Sequence, residues 1–397
     1  MTRFRPTVGR LCVVATASLL VSGCLPADDT DRVVRVLPPQ VAVERVEPSP
    51  AIEGIPGLEI VDGLLDPVPE PLVDLAAIRP SGLPPDALPS LDEPPFIRAR
   101  HVWFLQDREP VIALEIDGDA RAYPLQILMW HEIANDVVGG VPVAVTYCPL
   151  CNSAAVYERR VGERVLEFGV SGRLVNSSLV MHDRQTGSLW SHYTGGAVVG
   201  ELTGTELVTH PVSIVAWADW RAAHPNGLVL DRETGFIKEY GLNPYPGYDD
   251  ADERPFLFEG EVDGRYTAMT RIAAFTVADD HIAVTLDRLR TDRTVRVTAG
   301  GRDLIVFWTP GVSSALDSFD VAAGVDVGAT MVAVVDPDDV FSVVDGRLID
   351  DATGSEWDVF GRATSGERRG ERLERVAHVD TFWFAWAAFR PDTAVVG

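Results

Sequence analysis

The stretch DRQTGSLW at 183–190 returns as DDATGSEW at 350–357, and the likeness spreads outward from both copies. Downstream, after one deleted residue, Ala197, Gly200, Gly204 and Leu207 match Ala363, Gly366, Gly370 and Leu373. Trp217, Trp220 and Pro225 match Trp383, Trp386 and Pro391. Upstream, Gly139-Gly140 matches Gly300-Gly301, and TYCPLCNSA (146–154) matches FWTPGVSSA (307–315). So many matches in nearly one register point to an internally duplicated domain. The expected halves are 96–250, which holds a CxxC, and 260–397, which has no cysteine.

Within the halves the chain is cut into short runs rich in Val, Ile, Tyr and Phe: VWFLQ, PVIALEI, RAYPL, PVAVTY, AAVYERR and RVLEFGV. Asp117-Gly118 and Gly139-Gly140 separate them as turns. The expected class is therefore mainly β with short helices, α+β being the alternative, arranged as a sandwich or a barrel-like pair. Helices are expected over 125–133 and 213–223, and strands are expected to resume near Tyr266. The equivalent positions of Trp190 and Trp357 in the repeat mark them as core residues.

The first residues, MTRFRPTVGR, carry three arginines and no acid. LCVVATASLLV and then Val21-Ser22-Gly23-Cys24 follow, the layout of a secretory signal ending in a lipobox. Residues 1–23 are read as the signal. Cys24 is read as the lipidation site, with palmitate-type acyl chains anchoring the protein at the outer face of a bacterial cell membrane. Residues 24–95 contain 15 of the 28 prolines and are read as a Pro-rich stalk. The formal net charge of -25 argues against nucleic-acid partners, and losing the signal arginines takes it to about -28. The expected partners are the membrane, through the lipid, and a redox partner or small ligand.

Of four cysteines, Cys12 leaves with the signal and Cys24 takes lipid, so Cys148 and Cys151 remain as one pair. Such a pair can exchange with other thiols, close an inert disulfide clip, or ligate a metal such as zinc or copper. The repeat localises this chemistry to the first half, because Thr309 and Val312 occupy the equivalent positions. Residues 151–154 are expected to begin a helical turn that lowers a thiol pKa, with Cys148 attacking and Cys151 resolving. His131 is a candidate proton shuttle oriented by Glu132 or Asp136. It is also a candidate third ligand if a metal is bound, with His182, Asp183 and His192 as further possibilities. ILMWHEIAND lacks the second histidine of HExxH, and GVSGR (169–173) is not a GxSxG elbow. Arg173, Asn176 and Arg184 form a possible ligand-binding set for an acidic molecule. Tyr240, Asn243, Tyr245 and Tyr248 lie in a Pro/Gly-rich loop suited either to a ligand or to the seam between halves.

Arg121-Ala122-Tyr123-Pro124-Leu125, Trp130-His131-Glu132, TYCPLCNSA, FGVSGRL, LVMHDRQTGSLW, DRETGF and NPYPGYDD together resemble the bacterial and archaeal family of unknown function DUF3179. The resemblance covers most of 96–397. It brings no assigned activity, so whether the chain is an enzyme stays open. Some members carry selenocysteine in the CxxC-like region, which falls here on Cys148 or Cys151 and implies redox use. His182 stands where the family has an aromatic residue, and Ser191-His192 also departs from its pattern, which implies no site role for His182 or His192. The resulting expectation is an extracytoplasmic lipoprotein using Cys148 and Cys151 in thiol–disulfide chemistry without a cofactor. The alternative is a metal- or ligand-binding module in which the pair is structural.

Overall fold

Three sheets, met in one order along the chain, occur twice. A computed structural model describes residues 69–344 and 347–397, together with the backbone of Val33–Val34. The expected signal, Cys24 and most of the stalk lie outside the described residues.

In the first half the hairpin Pro110–Ile116/Asp119–Pro124 is flanked by Ser213–Ala216 on one side and Leu228–Leu230 on the other, the last running parallel to its neighbour. In the second half Arg271–Val277/Asp280–Thr285 is flanked in the same way by His378–Phe382 and the parallel Ala394–Val396. A four-residue helix, Leu125–Leu128, leaves the first hairpin, and Leu286–Asp292 leaves the second. Each half then forms a second hairpin, Ile133–Val138/Val141–Cys148 and Thr294–Ala299/Arg302–Thr309. Gly139-Gly140 and Gly300-Gly301 close these hairpins with both residues at positive φ. A two-residue turn that matches strand twist demands that conformation, and glycine adopts it without cost.

A third sheet carries the repeated octapeptide. In both copies the Asp carboxylate holds the Thr, the Thr hydroxyl meets the Ser hydroxyl at 2.7 Å, and the octapeptide ends in a buried Trp. The seven-residue helices Trp217–Ala223 and Trp383–Phe389 begin at matched tryptophans. The shorter strand Ser213–Ala216 occupies the start of the expected 213–223 helix.

The halves share their cores. Phe382, Phe384 and Ala385 of the second half pack into the core that contains Tyr147, Cys148, Cys151 and Phe168. Val111, Trp217 and Trp220 of the first half pack with Phe307, Met331 and Trp357 of the second. The architecture is mainly β with short helices, and among the described residues its several sheets form no closed barrel.

Three expectations are corrected. VWFLQ forms no strand, because a 3-10 turn at Ala99–His101 precedes it and Trp103 faces solvent. Strands resume at Arg271, not Tyr266. The stalk gives way to the body well before residue 96. Ile78 is buried, Arg79–Pro80 extends the third sheet beside Phe168–Val175, and Leu91–Asp92 pairs with Ile133–Val138. Prolines at sheet edges need no donor, so a Pro-rich segment docks there as readily as it stays extended.

Candidate functional site

The repeats diverge most at the end of the second hairpin. In the first half the chain reverses within Pro149–Asn152, and Ser153–Glu158 pairs directly with Val141–Cys148, setting Cys148 opposite Ser153. In the second half the partner strand begins only at Ala329, after a long excursion from Thr309. The tight turn folds Cys151 back onto Cys148. Residues 153–158 are strand, so the helical turn expected at Cys151 does not form. Its absence removes the helix dipole as a source of thiol activation.

Hydrogen bonds supply the polarisation instead. Both thiols are buried and lie close together, with Cys151 Sγ 3.9 Å from the Cys148 carbonyl oxygen. Burial pushes the Cys148 thiol well above its usual range, and the neighbouring Cys151 adds to the rise. Burial alone would also raise Cys151, but contacts with Cys148, Ser153 and Ser178 outweigh it and bring the thiol down. Ser153 Oγ lies 2.9 Å from Cys151 Sγ, and Ser178 Oγ lies 3.6 Å away. The second half clamps the loop from outside, since Thr381 Oγ1 and the Phe382 N–H both donate to the Cys151 carbonyl.

Ser153 Oγ also meets His192 Nε2 at 2.7 Å. His192 is fully buried and burial lowers its pKa, so the ring is neutral. When Cys151 is a thiol, S–H donates to Ser153, Ser153 donates to Nε2, and the ring proton sits on Nδ1. When Cys151 is a thiolate, Ser153 donates to sulfur, Nε2–H donates to Ser153, and Nδ1 is bare. A tautomer change at His192 thus passes the Cys151 proton along the chain as far as Nδ1, which is itself buried and has no protein partner among the described residues. His192 lines a cleft of about 290 Å³ between the halves, with Tyr157, His378 and Arg390.

His131 is placed otherwise. Its Nδ1 bonds the Pro89 carbonyl at 2.7 Å and its Nε2 bonds Tyr240 Oη at 2.6 Å. It clasps the docked proline segment to the Tyr240 loop, and burial lowers its pKa to about 4. The proton shuttle read at His131 therefore has no free ring nitrogen, and the histidine joined to the thiols is His192, which the family pattern had set aside. Asp136 binds Arg121 and Tyr123 rather than His131. Glu132 does reach the site, its carboxyl being close enough to feel Cys148. Among the described residues no three His, Cys, Asp or Glu side chains converge as a metal-ligand set, so Cys148, Cys151 and His131 are not assembled as one.

The expected ligand-binding set is dispersed. Arg184 is tied to Asp86, Asp92 and Glu167. Asn176 occupies a hairpin turn at positive φ. Arg173 follows a bulge in the strand Phe168–Val175 and lines a second void, about 380 Å³, beside Leu150 and Glu132. The aromatic loop covers the seam and also borders a cavity. Asn243 and Gly247 bond the second half through Phe319 and Leu316, while Tyr245 and Tyr248 line the void.

Ser153 escaped notice because it has a serine counterpart, Ser314, in the cysteine-free half, while His192, weighed as a metal ligand and set aside on the family pattern, lies 39 positions from Ser153. The signal that could have found them is the contrast at the other position, where Val359 replaces His192. No curated protein and no solved structure matches the chain. A family model described as "Protein of unknown function (DUF3179)" matches residues 85–393, so this chain belongs to the DUF3179 family.

Proposed function

We infer that this protein is an extracytoplasmic thiol–disulfide redox protein whose Cys148–Cys151 pair acts on small molecules. The observation that carries the reading is the asymmetric thiol pair, one sulfur stabilised by serine hydroxyls with a histidine behind them and the other held protonated. The attacking role passes from Cys148 to Cys151, because the thiolate is the nucleophile. Burial of both sulfurs favours low-molecular-weight disulfides over folded protein substrates, whose bonds could not reach them.

In the reductive direction Cys151 Sγ attacks one sulfur of R–S–S–R. A mixed disulfide forms, the R–S–S–R bond breaks, and one thiolate leaves with the proton delivered through Ser153 and His192. Cys148 Sγ then attacks Cys151 Sγ, and its proton leaves on the second thiolate. The pair loses two electrons and two protons, the substrate becomes two thiols, and a Cys148–Cys151 disulfide remains.

The lipobox at Val21–Cys24 supports a lipid anchor on Cys24 at the outer face of the bacterial cell membrane. Two halves with one sheet order support descent from a single unit, with the second half now serving as scaffold. Equilibration of the full-length protein in graded thiol–disulfide buffers, read by intact mass, tests the redox reading. A reversible two-thiol transition confined to Cys148 and Cys151 is expected. A pair that stays in one state across the whole range would end it.

A further inference from the structure

The void beside Leu150 has features of a binding site that thiol exchange does not use. Its walls are largely apolar, formed by Leu83, Leu88, Val170, Leu174, Leu179 and Phe256. Arg173, Glu253 and Arg254 also line it, and two further polar side chains face it without a hydrogen-bond partner among the described residues. The Glu132 carboxyl is 7 % exposed and has no hydrogen-bond or ion-pair partner among the described residues. The Tyr245 hydroxyl, within electrostatic reach of Glu132, likewise has none. Glu132 is buried and Tyr245 half-buried, so both present a polar group to one largely apolar cavity, the layout of a small-molecule site.

The repeat separates scaffold from function at this position. Glu132 sits at φ 58°, and its counterpart Arg293 sits at φ 67°. In both, the backbone carbonyl accepts from the next strand, from the Tyr147 N–H or the Trp308 N–H. The left-handed backbone therefore belongs to the fold. The side chains differ in use: Arg293 lies over the Trp308 ring at 4.4 Å, whereas Glu132 turns a carboxyl into the void.

Burial raises that carboxyl well above its usual range, which favours the neutral acid form. A neutral acid and a phenol are both donors, and two donors in an apolar cavity suit a carbonyl oxygen. We propose that the cavity lined by Glu132 and Tyr245 binds a neutral, mainly apolar small molecule through a carbonyl group, with both side chains donating to the carbonyl oxygen. The volume of about 380 Å³ accommodates a body of one or two rings. The assignment stands independently of the thiol reading, since it requires no reaction at sulfur.

The test uses Prodan, a naphthalene bearing one ketone and one dimethylamino group, titrated into the full-length Cys24→Ser chain so that lipid and micelles stay out of the assay. Saturable one-to-one binding with blue-shifted emission is expected. Glu132→Gln keeps a donor and should bind within about threefold of the parent, whereas Glu132→Leu and Tyr245→Phe should each weaken binding about tenfold. Tyr245→Phe decides the matter if Glu132→Leu fails to fold. Prodan carries no disulfide and is titrated with none present, which separates this outcome from the fate of the thiol reading. No saturable binding, equal affinity in Tyr245→Phe, or tighter binding of the anionic anilinonaphthalene sulfonate would each overturn the proposal.

Discussion

Ser153→Ala removes the hydroxyl that lies 2.9 Å from Cys151 Sγ and 2.7 Å from His192 Nε2. A hydrogen bond to an ionised group is worth roughly 1.5–3 kcal/mol. At about 1.4 kcal/mol per pKa unit, the Cys151 thiol should rise by about one to two units. Near neutral pH the thiolate fraction then falls about 10- to 100-fold. The remaining thiolate becomes more nucleophilic as its pKa rises, with a Brønsted coefficient of about 0.4–0.5, so the net rate falls only about 3- to 10-fold. Well above both pKa values the order reverses, because both proteins are ionised and the variant carries the more basic sulfur. The two pH–rate profiles must therefore cross. Alkylation of the reduced protein by iodoacetamide, with the labelled peptide resolved by mass spectrometry, measures this directly. Parallel profiles, or faster labelling of Cys148 than of Cys151, would refute the assignment of Cys151 as the stabilised sulfur.

Other expectations can be checked alongside. Burial lowers both His131 and His378 to about 4, below their unfolded value, so the unfolded chain binds more protons and stability should fall as pH drops from about 6.5 to about 4. Asp380, pushed up to about 6 by burial, works in the opposite direction over most of that window, and Glu132, also raised by burial, adds to it. Each histidine contributes on the order of 3 kcal/mol at most, so His131→Gln should gain melting temperature relative to the parent as pH falls through this window. Gly172→Ala should cost about 2 kcal/mol or more in urea unfolding, because Gly172 sits at φ 71° and an added Cβ would run into the Leu83 carbonyl. A neutral effect there would mean that Leu83 is not docked against the bulge. Cys24→Ser should abolish incorporation of labelled palmitate and release the protein from membranes, and retention of label would remove Cys24 as the acylated residue.

Much of the fold could be read from spacing. The octapeptide, the paired glycines and the matched tryptophans mark hydrogen-bonded turns and core positions, which depend on local geometry and therefore repeat where the geometry repeats. The cysteine pair stood out because the other half holds Thr309 and Val312 in its place. The helix expected after Cys151 was illegible as strand. Asn152 and Ser153 suit a helix start and a tight turn equally, and pairing with Val141–Cys148 settles the choice. His131 attracted attention by lying beside Glu132, yet neighbouring residues in an irregular segment point apart, one toward Pro89 and Tyr240, the other into the void. The proline-rich segment looked extended and isolated because edge pairing leaves no hydrophobic period in the sequence to betray it.

Trapping of the mixed disulfide tests the central claim most directly. Reduced Cys148→Ala and Cys151→Ala chains would each be incubated with hydroxyethyl disulfide and weighed intact. Cys148→Ala should gain one mercaptoethanol adduct, mapped to Cys151, because the attacking sulfur is present and the resolving one is gone. Cys151→Ala should remain largely unmodified, its single thiol held protonated by burial. An adduct on Cys148 alone, or on neither cysteine, would contradict the account.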